Sequence, residues 1–574
     1  MVTPRISYAH LLAEPNPKHV ESLLKFFEAG RSKRGTGGLG VEIEHLPVHD
    51  ADDTAVSYYE PNGIEAFLKR LAPYYDESKE YWENGHLVGL AREGVAVSLE
   101  PGGQVEASIG VLHEPGDLNG LYADFRCEAD PILEELGFRF VNYGYQPKSS
   151  FVDVPVNPKG RYDAMTDFLG RVGQFGPCMM RCSASTQVSI DYVDEKDSID
   201  KMRVGTAIGP ILAWFFRNTP YFEGRLNPYP LLRQRMWDYL DFQRTNVTPG
   251  LFDQRFGWED YARDVLSTPL MFADLTHTPE AVESGLSRKE LHRAAFRENA
   301  GEVYPDRELN AYEINHIIST HFNDVRLKNF IEFRHWDSLP IERVERLTEI
   351  IASLYYVPSN RIRLESYFDG LTEEDVFEAK ANIQAHGRES NPYGQPLDFW
   401  REFLGLEGLL DDIPGRSEAP RRVPALTGFH AGRDSGRSVL AGVLALVVPA
   451  AACQVPGVFG LGLRKPRSVV GWPGSRQNSL FTITADTHEV RHNPEYYVMR
   501  HFSKYVRPGA KVLGTTSHFN SMAIAFRNPD GTIVVVTQNA LEDERPFEFA
   551  DPADASRGFK ATLAPRSFNT FVIE

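Results

Sequence analysis

The sequence predicts an α+β fold: an antiparallel sheet with one polar, concave face backed by helices, followed by a small all-β sandwich domain. Three observations predict it. Carboxylates alternate with apolar residues in Val41-Glu42-Ile43-Glu44-His45 and again in Val95–Ser108, so that each strand has one apolar side and one acidic side. Helical periodicity recurs between such strands. After about residue 478 the pattern changes to short β-rich runs separated by turn signals.

The elements follow in order. Helical spacing of apolar residues is visible in His19–Glu28, Ile64–Leu71, Asp197–Phe216, Trp258–Val265 and Ile341–Leu354. Gly35-Thr36-Gly37-Gly38-Leu39-Gly40 lacks the Lys-Ser/Thr of a phosphate-cradling loop and reads as a lead-in to the first strand. Val95–Leu99, a Pro101-Gly102-Gly103 turn and Val105–Ile109 form a hairpin, with Glu100, Gln104 and Glu106 on the face opposite the valines. Two further strands repeat the design. Gln187, Ser189 and Asp191 share a side of Thr186–Asp191, and Glu332 and Arg334 share a side of Asn329–Arg334. The boundaries expected are a catalytic domain at 1–410, a Pro-, Gly- and Arg-rich linker at 411–477 and a β-sandwich at 478–574.

Composition narrows the class. A net charge of -18 argues against a nucleic-acid footprint. Four cysteines in 574 residues make no disulfide framework, and Cys178 and Cys182 have no second pair with which to hold zinc; both point to a reducing, cytoplasmic compartment. The N-terminus lacks the apolar core of a signal peptide. Val439–Ala452 is apolar but interrupted by Pro449 and too short to span a bilayer, so it is expected to be linker rather than membrane anchor.

Carboxylates crowded on one sheet face repel one another, and a hard divalent cation with oxygen ligands is the simplest relief. Glu42, Glu44, Glu100, Glu106 and Glu332 are more than one Mg²⁺ needs. Two or three ions bridged by nucleotide phosphates would use them all, with nearby arginines neutralising a transferring phosphoryl group. His45 and His335 flank these strands and read as structural histidines.

Together, Gly40–Glu44, Ser98–Glu106, Pro158-Lys159-Gly160-Arg161-Tyr162, Met179-Met180-Arg181 with Thr186–Asp191, and Val325–Lys328 running into Ile331–Arg334 resemble the plant and proteobacterial glutamate–cysteine ligases, within the glutamine-synthetase-like carboxylate–amine ligases. The resemblance spans residues 1 to about 430. It implies ATP- and Mg²⁺-dependent joining of the glutamate γ-carboxyl to the cysteine amine through γ-glutamyl phosphate, the first step of glutathione synthesis. By motif, it implies that Glu42, Glu44, Glu100, Glu106 and Glu332 hold Mg²⁺. Arg161, Arg233 and Trp237 would bind glutamate, Arg244 and Arg334 would contact phosphates as the catalytic cations, and Gln187 and Ser189 would lie on the nucleotide side with Arg334. The implied partners are glutamate, cysteine and ATP, in a monomer or homodimer.

The tail strings Asn493–Tyr497, His501–Ala510, Arg527–Gly531 and Pro565–Phe571 resemble the C-terminal β-domain of glucosylceramidase-like glycoside hydrolases. The chain between linker and tail has no room for the barrel that carries the two catalytic carboxylates, so no glycosidase activity is expected. Two alternatives stay open at this point: a carbohydrate-associated binding protein with an inactive ligase region, and a ligase that uses another amine.

Overall fold

The computed structural model describes residues 14–32, 37–172, 175–279, 291–295, 298–409, 442–443, 481–483, 490–492, 494–513, 523–539, 544–551, 554–565 and 567–573. The chain divides into two compact units, residues 1–169 with 175–427, and 170–174 with 428–574. The apolar run at 439–453 lies outside the described residues apart from 442–443, as does nearly all of the expected 411–477 linker.

The first unit is built on a nine-stranded sheet. Its strands are β1 (Leu39–His49), β2 (Glu80–Glu83), β3 (His86–Arg92), β4 (Val95–Leu99), β5 (Val105–Leu112), β6 (Phe138–Val141), β7 (Ser185–Ile190), β8 (Val325–Leu327) and β9 (Ile331–Asp337). They run in the order β8-β9-β7-β1-β5-β4-β3-β2, with β6 paired to the end of β1, and every pairing is antiparallel. The five strands read from the sequence, β1, β4, β5, β7 and β9, are consecutive in this sheet.

Alternation explains why this face is buried. Val41, Ile43, Val95, Val97, Leu99, Val105, Ala107, Ile109, Val188, Ile190, Ile331 and Phe333 form one continuous core. Helices cover it: Ile64–Leu71 on β3, Asp117–Leu136 on β5 and β6, Glu195–Phe215 on β8 and β9, and Ile341–Tyr356 on β1 and β7. The helices expected at 19–28, 64–71, 197–216, 258–265 and 341–354 are all present, each within three residues of the expected ends. The Asp194 carboxylate caps Glu195–Phe215 by accepting from the Asp197 amide at 2.8 Å.

The β4–β5 turn depends on glycine. A Cβ on Gly102 would stand 2.1 Å from the Arg181 carbonyl oxygen, and Gly103 has φ +86°. Gly102→Ala is therefore expected to cost about 1–3 kcal/mol of stability, read from a urea midpoint. The same change is expected to displace the adjoining Glu100. An unchanged midpoint would show that the turn yields freely.

The second unit contains a five-stranded antiparallel sheet in the order 442–443, Ser567–Ile573, Ile533–Asn539, Ala523–Arg527, Lys511–Leu513. A hairpin of Arg545–Asp551 with Asp554–Leu563 accompanies it. Ala525, Ile533, Val535, Leu563 and Phe571 make its core. The expectation of β-structure throughout needs one correction: Pro494–Tyr505 is an α-helix. Phe502 and Tyr505 pack from it and its edge against Phe526, Val534 and Val536.

Candidate active site

Strand register brings the acidic residues together. Glu44 stands directly opposite Glu106, and Glu42 stands opposite Ser108 on one side and Gln187 on the other. Ser98 faces Glu106 from β4, and Glu332 faces Ser189 from β9. Like charges placed directly opposite on neighbouring strands destabilise a sheet, so stability alone gives no reason for the Glu44–Glu106 pair. Glu42, Glu44, Glu100, Glu106 and Glu332 all line one cavity of about 310 Å³, together with Arg161, Gln187, Arg233, Trp237 and Arg334. A larger cavity of about 730 Å³ lies further along the same strands; Glu42, Ser108, Ser189 and Asp191 line it, so Glu42 borders both.

Glu42, Glu44 and Glu106 form one electrostatic class and Glu332 another. Burial, then repulsion from Glu106 and Glu332, pushes Glu42 up to about 8. Burial and Glu100 raise Glu44 to about 7, although the Ser185 amide and hydroxyl donate to it at 2.7 and 2.6 Å. Burial, Glu100 and Glu44 raise Glu106 to about 7, with the Ser108 hydroxyl donating at 2.7 Å. Glu332 is the opposite case. Burial alone would raise it, but Arg326, Lys328 and Arg334 hold it well below the usual range. Arg326 Nε and Nη2 reach Glu332 Oε2 at 2.8 and 2.7 Å, Arg334 Nη1 at 2.9 Å, and Lys328 Nζ reaches Oε1 at 2.9 Å.

Cations complete the wall. Arg233 is buried on the helix Leu232–Asp238; burial lowers it to about 10, and its Nε has no acceptor among the described residues. Its Nη1 donates to the Arg334 carbonyl at 2.7 Å, and its guanidinium lies 5.7 Å from the Trp237 ring centroid. Burial and Arg161 lower Lys159 to about 8.

The sequence model of glutamate-cysteine ligase family 2 matches residues 38–361, which contain every residue just described. The chain belongs to glutamate-cysteine ligase family 2. A chloroplastic glutamate–cysteine ligase B of Oryza sativa subsp. japonica is 32% identical over 412 residues, 70% of this chain and 79% of that one. The chloroplastic enzyme of Nicotiana tabacum is 31% identical over 64% of this chain and 67% of its own length. A solved glutamate–cysteine ligase from Francisella tularensis in complex with AMP shares 12% identity over 65% of this chain and 77% of that one, at a TM-score of 0.39. The tail matches the glycosyl hydrolase family 30 beta sandwich domain over residues 509–571. The chloroplastic relatives overturn the cytoplasmic assignment. A low cysteine count reports a reducing environment and does not say which one. Among the described residues no helix is long and apolar enough to cross a membrane.

In this member of glutamate-cysteine ligase family 2, one expected site residue stands outside both cavities. Arg244 does not line the acidic cavity. It is fully buried, its Nε bonds Asp241 at 2.7 Å, and its Nη2 donates to the Pro269 carbonyl at 2.6 Å. The Asp241 three residues earlier claims the charge locally. Ser189 lines the larger cavity rather than the acidic one, because it pairs with Gly40, two residues along β1 from Glu42. Glu332, expected as a metal ligand, has both oxygens engaged by three cations.

Other contributors were not assigned from sequence. Arg326 is readable as the β8 residue facing Glu332 across a hairpin, with Lys328 two residues on, just past the end of β8. Ser185, Ser98 and Ser108 carry no such signal. Gln104 serves the scaffold, donating to the carbonyls of Met180 and Ser183 at 3.2 and 2.7 Å. His45 is structural, bonded to the Val105 carbonyl and the Tyr122 hydroxyl. His335 is also buried, but neither ring nitrogen has a partner among the described residues.

Proposed function

We propose that the acidic cavity joins the γ-carboxyl of glutamate to the amine of cysteine at the expense of ATP, through γ-glutamyl phosphate. The observation that carries this reading is the meeting of Glu42, Glu44, Glu100 and Glu106 with Arg161, Arg233 and Arg334 in one enclosure. Residues 1–410 would form the ligase domain, 411–477 a linker and 478–574 an accessory β-domain.

The donor set suits Mg²⁺. Glu42, Glu44 and Glu106 are oxygen donors whose charge the fold disfavours in the absence of a cation. Among the described residues no three acidic, His or Cys side chains stand close enough to ligate an ion by themselves. Glu42, Glu44, Glu100 and Glu106 would hold the metal; once bound, it would neutralise phosphate charge during transfer. Glu332 enters differently from its expected role, by fixing Arg326, Lys328 and Arg334 on the cavity wall.

The nucleotide is assigned to the larger cavity, with Ser189 on its side and its phosphates toward Glu42. Arg233 and Trp237 hold glutamate, and Arg161 offers a second cation for its carboxylates. A glutamate γ-carboxylate oxygen attacks the γ-phosphorus, and ADP leaves. The cysteine amine then attacks the acyl carbon, and phosphate leaves. Arg334, held by Gln187 at 2.6 Å and by Glu332, stabilises the transferring group without having to reorganise.

Incubation with Mg²⁺, ATP, glutamate and a panel of amines tests this. ADP release that depends on cysteine, with a product of γ-glutamylcysteine mass, is expected. A product with a different amine would move the specificity. No amine-dependent ADP release at saturating glutamate would end the reading.

A further inference from the structure

We propose that Lys380 is a positioning residue that sets Arg233 and Trp237 from behind the cavity; this rests on the assignment of those two side chains to glutamate. The helix carrying them, Leu232–Asp238, has seven residues and no side-chain cap at its N-terminus. Such a short helix does not hold its own position, and its placement depends on tertiary contacts. A second helix, Glu373–His386, grips it at both ends. Lys380 Nζ lies 2.7 Å from Asp238 Oδ1 at the last residue of the short helix. One turn further along, Gln384 Nε2 donates to the carbonyl of Leu231, the residue just before it, at 2.9 Å.

Lys380 does more than bind one partner. Its ammonium is fully enclosed and also donates to Asn246 Oδ1 at 2.6 Å and Asp324 Oδ2 at 2.7 Å. Two hydrogen bonds and an ion pair to Asp238 thus join three separate segments at one ammonium. The Asp324 carbonyl in turn accepts the Arg334 amide at 3.1 Å, and Arg334's own carbonyl accepts Arg233 Nη1. One buried lysine therefore fixes the relative placement of Arg233, Trp237 and Arg334 without lining the cavity. A buried ion cluster is a poor source of stability compared with apolar packing, whereas its directional bonds specify geometry. The helix lies beyond the 38–361 stretch matched by the family model, so this support comes from outside that stretch.

Steady-state kinetics on the full chain test the proposal, with Lys380→Met and Gln384→Met measured beside wild type. The expected result is a rise in KM for glutamate of about tenfold in Lys380→Met and about threefold in Gln384→Met, with KM for ATP changing less than about twofold. Parallel rises in both KM values, or an unchanged glutamate KM in the folded variants, would overturn it. Should Lys380→Met fail to fold, Gln384→Met, which removes no charge, decides. Should wild type release no ADP, the functional reading fails instead, and hydrogen exchange decides this one. Faster exchange confined to 232–238 in Gln384→Met supports the proposal, and exchange equal to wild type contradicts it.

Discussion

Glu106→Gln is expected to lower kcat by about 10²–10³-fold while leaving the protein as stable as wild type or more so. The catalytic loss follows from removing one of the carboxylates proposed to hold the metal against the transferring phosphoryl group. The stability result follows from the electrostatics. Burial and the neighbouring Glu100 and Glu44 already push the Glu106 carboxyl up to about 7, so the folded state carries its charge unwillingly. A glutamine of the same shape keeps an acceptor for the Ser108 hydroxyl and removes the repulsion across from Glu44. The sign in pH is definite. Glu42, Glu44 and Glu106 have folded values of about 8, 7 and 7 against an ordinary 4.5. Their contribution to stability is complete below about 4.5 and is lost as pH rises through 7 to 8. Metal-free Glu106→Gln should therefore lose less stability than wild type between those limits. Turnover parameters and urea midpoints on the same preparations check both halves; normal kcat would remove Glu106 from the metal set.

The same substitution at Glu332 is expected to do the reverse. Glu332→Gln should destabilise the protein by about 3–5 kcal/mol, because it leaves Arg326, Lys328 and Arg334 without their common anion. Glu332 is held below the ordinary carboxylate range, so its contribution is present above about 4.5 and is lost as pH falls through the depressed folded value. Activity falls too, since Arg334 loses one of its two fixed partners. Urea denaturation at pH 7 decides: a loss under about 1 kcal/mol would mean that the three cations are satisfied by solvent and that Glu332 organises nothing.

These opposite outcomes for chemically identical residues mark the limit of sequence reading. The sheet was legible because side chains alternate with a period of two, and carboxylates at Glu42, Glu44 and Glu106 interrupt an otherwise apolar design. That alternation located the acidic face but could not say which glutamate would meet cations. The answer for Glu332 lay on β8, across a hairpin, where Arg326 pairs directly with it. Arg244 stands away from the cavity because its setting is local: the i–3 carboxylate of Asp241 pairs with its guanidinium. Ser189 shares a face with Gln187, yet two residues of strand move a side chain about 7 Å, enough to place it in the neighbouring cavity. Lys380 gave no signal at all. It sits in a helix of ordinary charge content, and only the fold reveals that three distant partners converge on it.

The crowded glutamates of the acidic cavity are proposed to receive a metal–nucleotide complex. Thermal unfolding at pH 8, with and without Mg²⁺ and ATP, tests it most directly when wild type is compared with the Glu42→Gln/Glu44→Gln/Glu106→Gln variant. Wild type should gain about 2.7 kcal/mol at a ligand concentration of about 100 Kd, and the variant should gain almost nothing. An equal gain in both proteins would show that the complex binds elsewhere and would contradict the account.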